Sequence, residues 1–419
     1  MANDGIVVGL DIGSTKVCAV IGERNENGYL EIMGAGMSPS TGLEKGVVKN
    51  IEATLRSISA AVEEAEVMSG QEVRSVWTGI GGKHITGMNS RGVVAVTGKS
   101  RETREIGNED VERVLEAAKA VAIPMDRRIL EVIPQSYIVD DQKGIRDPLN
   151  IIGVRLEAEV HIITCSITSA QNLIKCINRA GFRAEGLILQ SLAAGSAVLT
   201  EEEKELGVAL IDLGGGTTEL MVYNRGAPYS ISSIPLGGSL VTGDISFGRS
   251  ISVETAEKIK IQSGCCWDEL LEGDDNVLVE GLGGRSPQAI PRSELLRIIR
   301  PRMEEIFERV KQELDKISLS RRLSGGIVLS GGGAQLLGVV ELANHVFNMP
   351  VRIGAPLTKG LGGFVDKYRN PAYATAIGLI LEGNKRELGS QHERGGDASV
   401  EVWSGSFFGR ILNWFKNIF

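Results

Sequence analysis

The chain has 419 residues, of which 42% are hydrophobic and 23% are charged, so it is long enough for two or more domains with buried cores. Its formal net charge of -8 disfavours a broad nucleic-acid-binding surface, and we expect no nucleic-acid partner. The five cysteines are scattered without a CxxC pair, which disfavours a disulfide framework and a zinc site. The first residues do not resemble a secretion signal, and no apolar run approaches the roughly 20 residues that span a bilayer.

The N-terminal segment IVVGLDIGSTKVCAVIG predicts a β-hairpin with a glycine turn. Residues 6–10 form the first apolar strand, Asp11 follows it, and residues 17–21 form the second strand. The turn Gly13-Ser14-Thr15 brings backbone N–H groups close to a ligand, because glycine has no side chain to block the approach. The hydroxyl groups of Ser14 and Thr15 are additional hydrogen-bond donors. The turn therefore indicates an anion site.

Residues 84–162 predict a small α+β unit of roughly 80 residues. Val111, Val114, Leu115 and Ala118 share one face of a predicted helix, and its cap is expected near Asn108 or Glu109. The predicted strands cover residues 129–133, 136–139 and 154–163.

The segment GVALIDLGGGTTELMVY repeats the N-terminal pattern in the second part of the chain. Residues 208–211 form the strand, Asp212 takes the place of Asp11, and residues 214–218 take the place of the turn. Such a repeat indicates two similar halves that face each other. Two turns that face each other can hold a polyphosphate, while the two aspartates hold a hydrated Mg²⁺. The alternative is a pair of unrelated hairpins.

Residues 291–317 predict a long amphipathic helical region, in which Pro301 starts or kinks the second part. Arg297, Arg300 and Arg302 cluster in an otherwise acidic chain. This cluster is either a solvated face or a dock for an acidic peptide.

A third glycine-rich segment begins with a buried strand at residues 327–330. Gly331-Gly332-Gly333 follow, and a helix is predicted from about Gln335. A strand, a glycine turn and a helix in this order are typical of nucleotide sites. The spacing matches neither a dinucleotide-binding Rossmann motif nor a P-loop.

The last 15 residues, Gly405 to Phe419, predict an amphipathic helix that follows a polar linker. One arc of the helix is apolar, and the other side carries cations and amides. The segment is too short to span a bilayer and predicts a helix that lies in an anionic membrane surface. The alternative is a helix that packs on the protein's own core. The predicted membrane residues are Phe407, Phe408, Arg410, Ile411, Leu412, Trp414, Phe415, Lys416, Ile418 and Phe419.

Together, the motifs Asp-x-Gly-Ser-Thr, Asp-Leu-Gly-Gly-Gly-Thr and Ser-Gly-Gly-Gly-Ala resemble the phosphate and adenosine motifs of the actin/Hsp70/sugar-kinase superfamily. Residues 187–199 and 370–383, which are rich in Ala and Gly, look like its connecting helices. The α+β unit resembles the extra subdomain of the bacterial cell-division FtsA family, whose members are divergent actins. The likeness covers nearly the whole chain. The chain departs from the pattern around Leu149 and at Gln190-Ser191, where relatives commonly carry Glu-Pro.

The resemblance implies ATP and Mg²⁺ as ligands, with Asp11 and Asp212 orienting the waters of the metal. Gln190 is the candidate for orienting a catalytic water, but glutamine is a poor general base, so hydrolysis is expected to be slow or absent. Glu257 and Lys260 are candidates for ribose and base contacts, the alternative being a solvated pair on a helix. The implied phosphate-binding residues are Gly13, Ser14, Thr15, Lys16, Gly214, Gly215, Gly216, Thr217 and Thr218, and the implied adenosine-binding residues are Gly331, Gly332, Gly333 and Ala334.

The implied fold is α/β and actin-like, a duplicated ribonuclease H-like fold with two domains, four subdomains and a C-terminal amphipathic helix. The predicted divisions are subdomain 1A (residues 1–83, 163–199 and the C-terminal helix 358–383), inserted subdomain 1C (84–162), subdomain 2A (200–242 and 325–357), subdomain 2B (243–324), a flexible linker (384–404) and the membrane helix (405–419).

The resemblance further implies a protein that polymerises on the cytoplasmic face of the inner membrane at the division site. There it would anchor filaments of FtsZ, bind the acidic FtsZ C-terminal tail through the arginine cluster, and help to recruit later division proteins. Two other classes stay open. A sugar kinase or phosphatase would need a catalytic aspartate, for which no strong candidate is found. An Hsp70-like chaperone would need a peptide-binding domain, and too few residues follow the last motif to form one.

Overall fold

The computed structural model describes residues 5–26, 28–96, 103–271, 273, 275–279, 286–317 and 323–394. The strands are β1 Ile6–Ile12, β2 Lys16–Arg24, β3 Leu30–Pro39, β4 Leu43–Glu44, β5 Val47–Val48, β6 Ser75–Ile80, β7 Thr86–Ala95, β8 Arg104–Glu105, β9 Arg127–Val139, β10 Gln142–Ile145, β11 Ile152–Gly153, β12 Arg155–Ser166, β13 Arg183–Leu189, β14 Val208–Leu213, β15 Thr218–Asn224, β16 Ala227–Ile234, β17 Asn276–Val279, β18 Gln288–Pro291, β19 Ile327–Ser330, β20 Val351–Ile353 and β21 Leu361–Gly363.

The helices alternate with these strands along the chain. They are α1 Ile51–Ser69, α2 Asn108–Lys119, α3 Ile167–Arg179, α4 Gln190–Val198, α5 Glu201–Leu206, α6 Gly238–Arg249, α7 Val253–Ser263, α8 Arg292–Asp315, α9 Val339–Phe347 and α10 Ala374–Arg394.

Two sheets of the same topology form the centres of two halves. The first has the order β13-β6-β1-β2-β3-β21, and the second has the order β20-β19-β14-β15-β16. In each sheet a hairpin, β1–β2 or β14–β15, pairs in parallel with the next strand on one side and antiparallel with a third strand on the other. The repeat in the sequence is therefore a structural duplication, as predicted.

The central strands are apolar because helices cover both faces of each sheet. Every residue of β1 after Ile6 is buried, and so are the first four residues of β14. In the first half the core lies between the sheet and α1, α3, α4 and α10, and it extends to Tyr223 of the second half. In the second half α6 to α9 enclose the other core.

The predicted α+β unit is present as a separate sheet of order β10-β9-β12-β7 with α2 packed on it. Strand β9 is continuous, whereas the sequence predicted two strands. Its pairing with β12 shifts between Ser136 and Pro134, so that Gln135 is left out of the ladder, as in a β-bulge. The Gln135 side chain instead donates to the carbonyl oxygens of Pro228 and Tyr229 in the second half, 3.1 Å from each.

Several predicted boundaries were wrong. The helix predicted for residues 187–199 begins at Gln190, because the preceding residues belong to strand β13. The helix predicted from Gln335 begins at Val339, since Gly332–Gln335 form a 3-10 turn. The cap of α2 is Gly107, whose N–H donates to the Asp110 carboxylate at 3.0 Å. Helix α8 runs through Pro301 as one element.

The predicted linker begins too early in the chain, because helix α10 continues to Arg394. Residues 384–394 are therefore helical rather than part of a flexible linker. Arg24 of β2 donates to Asn384 at 2.7 Å and to Glu387 at 2.9 Å, and Trp77 of β6 donates to Glu387 at 3.0 Å. These partners hold the extension on the first half.

Helices α4 and α10 cross closely between the two sheets, as their Ala and Gly content predicted. At Gly378 a Cβ atom would overlap the carbonyl oxygen of Ala193 in α4. The backbone of α10 therefore lies directly on α4, and a side chain at this position would push the helices apart.

We expect Gly378→Ala to lower the free energy of unfolding by about 1–3 kcal/mol, because the added methyl group overlaps backbone atoms that cannot rotate away. Gly243→Ala is the matched control, since Gly243 also lies in a helix but a Cβ there meets no atom within 4 Å. It should be neutral or stabilising by up to about 1 kcal/mol. Urea denaturation followed by circular dichroism measures both, and equal midpoints would contradict the close crossing.

Candidate functional site

The two glycine turns predicted to bind phosphate meet at one cleft between the halves. A Cβ at Gly216 would lie 2.5 Å from the hydroxyl oxygen of Ser14, and a Cβ at Gly215 would overlap Thr15. Only residues without a side chain allow this approach. The two turns therefore face each other, as the sequence predicted.

The backbone of both turns is arranged to receive an anion. The carbonyl oxygens of Gly214 and Gly215 accept hydrogen bonds from the first N–H groups of α6, at 2.9 and 2.8 Å. Within the described residues, no hydrogen bond engages the N–H groups of Ser14, Thr15, Gly215 and Gly216. Unpaired N–H groups in two neighbouring glycine turns are suitable hydrogen-bond donors for a polyphosphate.

Asp11 and Asp212 lie at the ends of β1 and β14, directly before the turns. Burial raises the pKa of Asp212 to about 6, and the negative charge of Asp11 adds to the increase. The Asp212 carboxylate accepts from the Thr375 hydroxyl at 3.3 Å, and Lys16 Nζ lies 3.7 Å from Asp11. Two carboxylates that repel each other are stabilised by a divalent cation, so this pair fits a hydrated Mg²⁺. The described residues contain no cluster of three or more His, Cys, Asp or Glu with metal-site geometry.

Gln190, the candidate water-orienting residue, lies beside this pair. It is the first residue of α4, and its Nε2 donates to Asp11 Oδ1 at 2.7 Å. The bond fixes which way the amide points, because the Nε2 end is held by the carboxylate. The Oε1 end points toward Gly81, where a Cβ would overlap it.

The third glycine-rich segment follows strand β19, which pairs with β14, and so lies next to the second turn. Gly331 has φ +81°, and a Cβ there would overlap the Asp212 carboxylate. The Gly331 N–H donates to the Pro371 carbonyl at 3.2 Å, just before α10. Residues 331–334 are therefore beside the second glycine turn, where the resemblance placed the adenosine side.

Glu257 and Lys260 lie on α7 and contact each other and α6. Lys260 Nζ is 2.7 Å from Glu257 Oε2, 2.9 Å from the Thr242 hydroxyl and 3.3 Å from the Gly238 carbonyl. Gly238 in turn donates to Gly214 of the second turn. Glu257 and Lys260 therefore reach the second turn only through Gly238. Both residues already have hydrogen-bond partners within the protein.

Glu219, a buried carboxylate that bonds across the cleft, was not among the residues predicted from the sequence. It is the strand partner of Asp212 and is 3% exposed. Its Oε1 accepts from the Gly82 N–H of the first half at 2.7 Å and from the Ser233 hydroxyl at 3.0 Å. Burial raises its pKa to about 7. The register of the predicted hairpin already places residue 219 opposite Asp212, and this signal could have identified it.

The arginine cluster of the sequence is divided between two sides of α8. Arg300 pairs with Asp268 and Glu304 and lies over the Trp267 ring, 5.0 Å from its centre. Arg302 pairs with Asp244 of α6 and with Glu305. Residues two apart on a helix do not share a face, so the three arginines do not form one basic patch. Arg297 is exposed.

The predicted membrane residues, from Phe407 to Phe419, lie outside the described residues, so their arrangement stays a prediction. Within the described part of the chain, we find no helix that is both long enough and apolar enough to cross a bilayer.

The duplicated sheets with one glycine turn from each half in a common cleft define an actin-like fold. Two solved structures share it. The type IV pilus biogenesis complex PilM–PilN aligns with a TM-score of 0.64 at 17% identity, covering 90% of this chain and 98% of that chain. MreB5 of Spiroplasma citri bound to ADP aligns with a TM-score of 0.56 at 14% identity, covering 94% and 100%.

The chain belongs to the FtsA family of cell division proteins. The model of the family "Cell division protein FtsA" matches residues 209–378, and that of the "SHS2 domain inserted in FTSA" matches residues 82–164. Cell division protein FtsA of Borreliella burgdorferi is 48% identical over 377 residues, 90% of each chain. That of Escherichia coli K12 is 37% identical over 421 residues, 99% of this chain and 98% of the relative. Membership in this family confirms the prediction of a cell-division protein over the alternatives of a sugar kinase, a phosphatase or a chaperone.

The raised pKa of Glu219 predicts a pH-dependent stability. Between about pH 4.5 and pH 7 the folded state keeps a proton on Glu219 that the unfolded state releases, so this carboxyl makes the protein less stable as the pH rises. Glu219→Gln does not titrate, and we expect its stability relative to the wild type to increase from pH 5 to pH 8, by up to on the order of 3 kcal/mol.

Urea denaturation at pH 5 and pH 8 measures this difference. Glu159→Gln, at an exposed carboxylate on β12, is the control. If Glu219→Gln shows the same small difference at both pH values as the control, burial does not govern the ionisation of Glu219.

Proposed function

We propose that the protein binds Mg·ATP in the cleft between its halves and, in that state, assembles into actin-like filaments. The observation that carries this proposal is the contact of the two glycine turns, which contain unpaired N–H groups and directly follow Asp11 and Asp212. A solved structure of the actin-like MreB5 of Spiroplasma citri holds ADP, which supports the same use of the cleft here.

Each part of the cleft has a role in this proposal. The two turns, Gly13–Lys16 and Gly214–Thr218, hold the phosphates through backbone N–H groups and hydroxyls. Asp11 and Asp212 orient the waters of Mg²⁺, which neutralises their mutual repulsion. Residues 331–334 hold the adenosine side. Glu257 and Lys260 reach the ribose and base after exchanging part of their present hydrogen bonds.

Hydrolysis in this site is slow. Gln190 orients a water through its Oε1, since its Nε2 is held by Asp11. Its amide does not accept a proton at neutral pH, so it positions the nucleophile without activating it. The bound nucleotide therefore acts mainly by closing the cleft, and closure favours filament contacts.

Isothermal titration calorimetry tests the nucleotide proposal. We expect the wild type to bind ATP at least about 10-fold more tightly with Mg²⁺ than with EDTA, and Asp212→Asn to lose most of this difference, because one of two metal-orienting carboxylates is gone. Asp315→Asn, at an exposed position at the end of α8, is the control and should behave as the wild type. Wild-type protein that does not bind ATP in either condition contradicts the proposal.

We further propose that residues 405–419 anchor the protein to the cytoplasmic face of the inner membrane at the division site. The apolar arc enters the lipid surface, and Arg410 and Lys416 each add on the order of 1 kcal/mol at an anionic leaflet. One such helix binds reversibly, whereas many copies on a filament bind together. Self-assembly and anchoring are thus parts of one mechanism.

The filament on the membrane tethers FtsZ, whose acidic C-terminal tail binds near α8, and helps to recruit later division proteins. Arg297 is exposed on this helix. Arg300 and Arg302 reach an acidic peptide by exchanging the carboxylates that they now hold. The exchange costs little at these partly exposed ion pairs.

Sedimentation with anionic lipid vesicles tests the anchor. We expect Trp414→Glu to leave the vesicle pellet, because it places a charge on the apolar arc, whereas Asn413→Glu on the polar side remains bound for the most part. FtsZ added to the same vesicles should sediment with the wild type and stay in the supernatant with Trp414→Glu. Equal sedimentation of the two variants would refute the predicted orientation of the helix.

A further inference from the structure

The hydrogen bond between Glu219 and Gly82 joins the two halves across the cleft. Glu219 belongs to β15 in the second half, and Gly82 belongs to the loop after β6 in the first. The Glu219 Oε1 atom lies 2.7 Å from the Gly82 nitrogen, and both residues are buried. A carboxylate that accepts from a backbone N–H makes one of the stronger hydrogen bonds available in a protein.

The loop that Glu219 holds is connected to the first phosphate turn. Gly82 has φ +110°, and a Cβ there would lie 2.7 Å from the Lys45 carbonyl oxygen and 2.8 Å from Gly46 Cα. The Gly46 N–H donates to the Ser14 hydroxyl at 3.2 Å. The contacts thus run from Glu219 through Gly82 and Gly46 to Ser14.

This loop also contacts Gln190, and the neighbouring β4–β5 turn contacts the second turn. A Cβ at Gly216 would lie 3.1 Å from the Lys45 nitrogen. A Cβ at Gly81 would lie 3.3 Å from Glu219 Oε1 and 3.0 Å from Gln190 Cδ. The Glu219 carboxylate and the Gln190 amide are therefore neighbours, with Gly81 between them.

One oxygen of Glu219 is not used by these contacts. Oε2 is buried and has no hydrogen-bond partner among the described residues. A buried acceptor without a partner is costly, which indicates that Glu219 is kept for the bond that its other oxygen makes or for a group bound in the cleft.

We propose that Glu219 is a positioning residue that clasps the Gly81–Gly82 loop to the second half, and so holds Gln190 and the first phosphate turn in place when nucleotide closes the cleft. This inference rests on the proposed nucleotide binding and adds a residue that acts through others. Loss of the clasp leaves the turns themselves intact but removes one bond that joins the two halves beside them.

The test combines two variants with a measurement on the unchanged protein. Hydrogen–deuterium exchange followed by mass spectrometry reports the amide of Gly82 in the wild type, with and without Mg·ATP. We expect slow exchange in the nucleotide complex. Glu219→Ala should expose this amide and weaken ATP binding by about 10- to 100-fold. Glu219→Gln should restore both, because its carbonyl oxygen accepts from the same Gly82 N–H and Ser233 hydroxyl groups.

Glu159→Ala on β12 is the control for loss of a strand glutamate and should match the wild type. Fast exchange of the Gly82 amide in the wild-type ATP complex overturns the clasp, and so does wild-type affinity in a folded Glu219→Ala. In both cases nucleotide binding itself stands. A wild type that does not bind ATP overturns the proposed function together with the clasp.

Discussion

The contact between two glycine turns is the constraint on which the arrangement of this molecule depends. The turns approach so closely that Gly215 and Gly216 leave no room for a Cβ opposite Thr15 and Ser14. Their position requires two equivalent hairpins, because each turn is carried by the central pair of a sheet. The two halves must also approach each other closely behind the turns. The helices α4 and α10 allow this approach because they are rich in Ala and Gly. A larger residue at either level would separate the halves and open the space between the turns.

The charges of the cleft follow from this closeness. Asp11 and Asp212 end the equivalent strands, so any approach of the turns also brings the two carboxylates together. Burial raises the pKa of Asp212, and the negative charge of the nearby Asp11 adds to the increase. The repulsion between the two carboxylates is partly offset by three contacts, one each from Lys16, Thr375 and Gln190. The cleft thus combines unpaired N–H donors with excess negative charge, and a polyphosphate with its own divalent cation satisfies both at once.

The features that the sequence predicted are those encoded within short segments. Each hairpin, its turn and its aspartate lie within about twenty consecutive residues, and the repeat indicated that they belong together. The inserted unit was found from helical and strand patterns for the same reason. What was missed depends on partners that are distant in the chain. Glu219 meets Gly82 from a position 137 residues away, and the extension of α10 is held by Arg24 and Trp77. The arginines of α8 looked like a patch because the carboxylates of Asp244 and Asp268 come from other elements.

Helix α10 is the last element that the structure describes, and it packs on the first half. It begins beside the cleft, where Lys16 donates to the Ala372 carbonyl and Thr375 donates to Asp212, and it runs along β1 and α4. Its 21 residues correspond to a rod of about 32 Å, and Arg24 and Trp77 fasten its distal part to the first sheet. The last described residue, Arg394, therefore belongs to a helix that is fastened to the first half. Relative to this helix, any motion between the two halves would be a displacement of the second half.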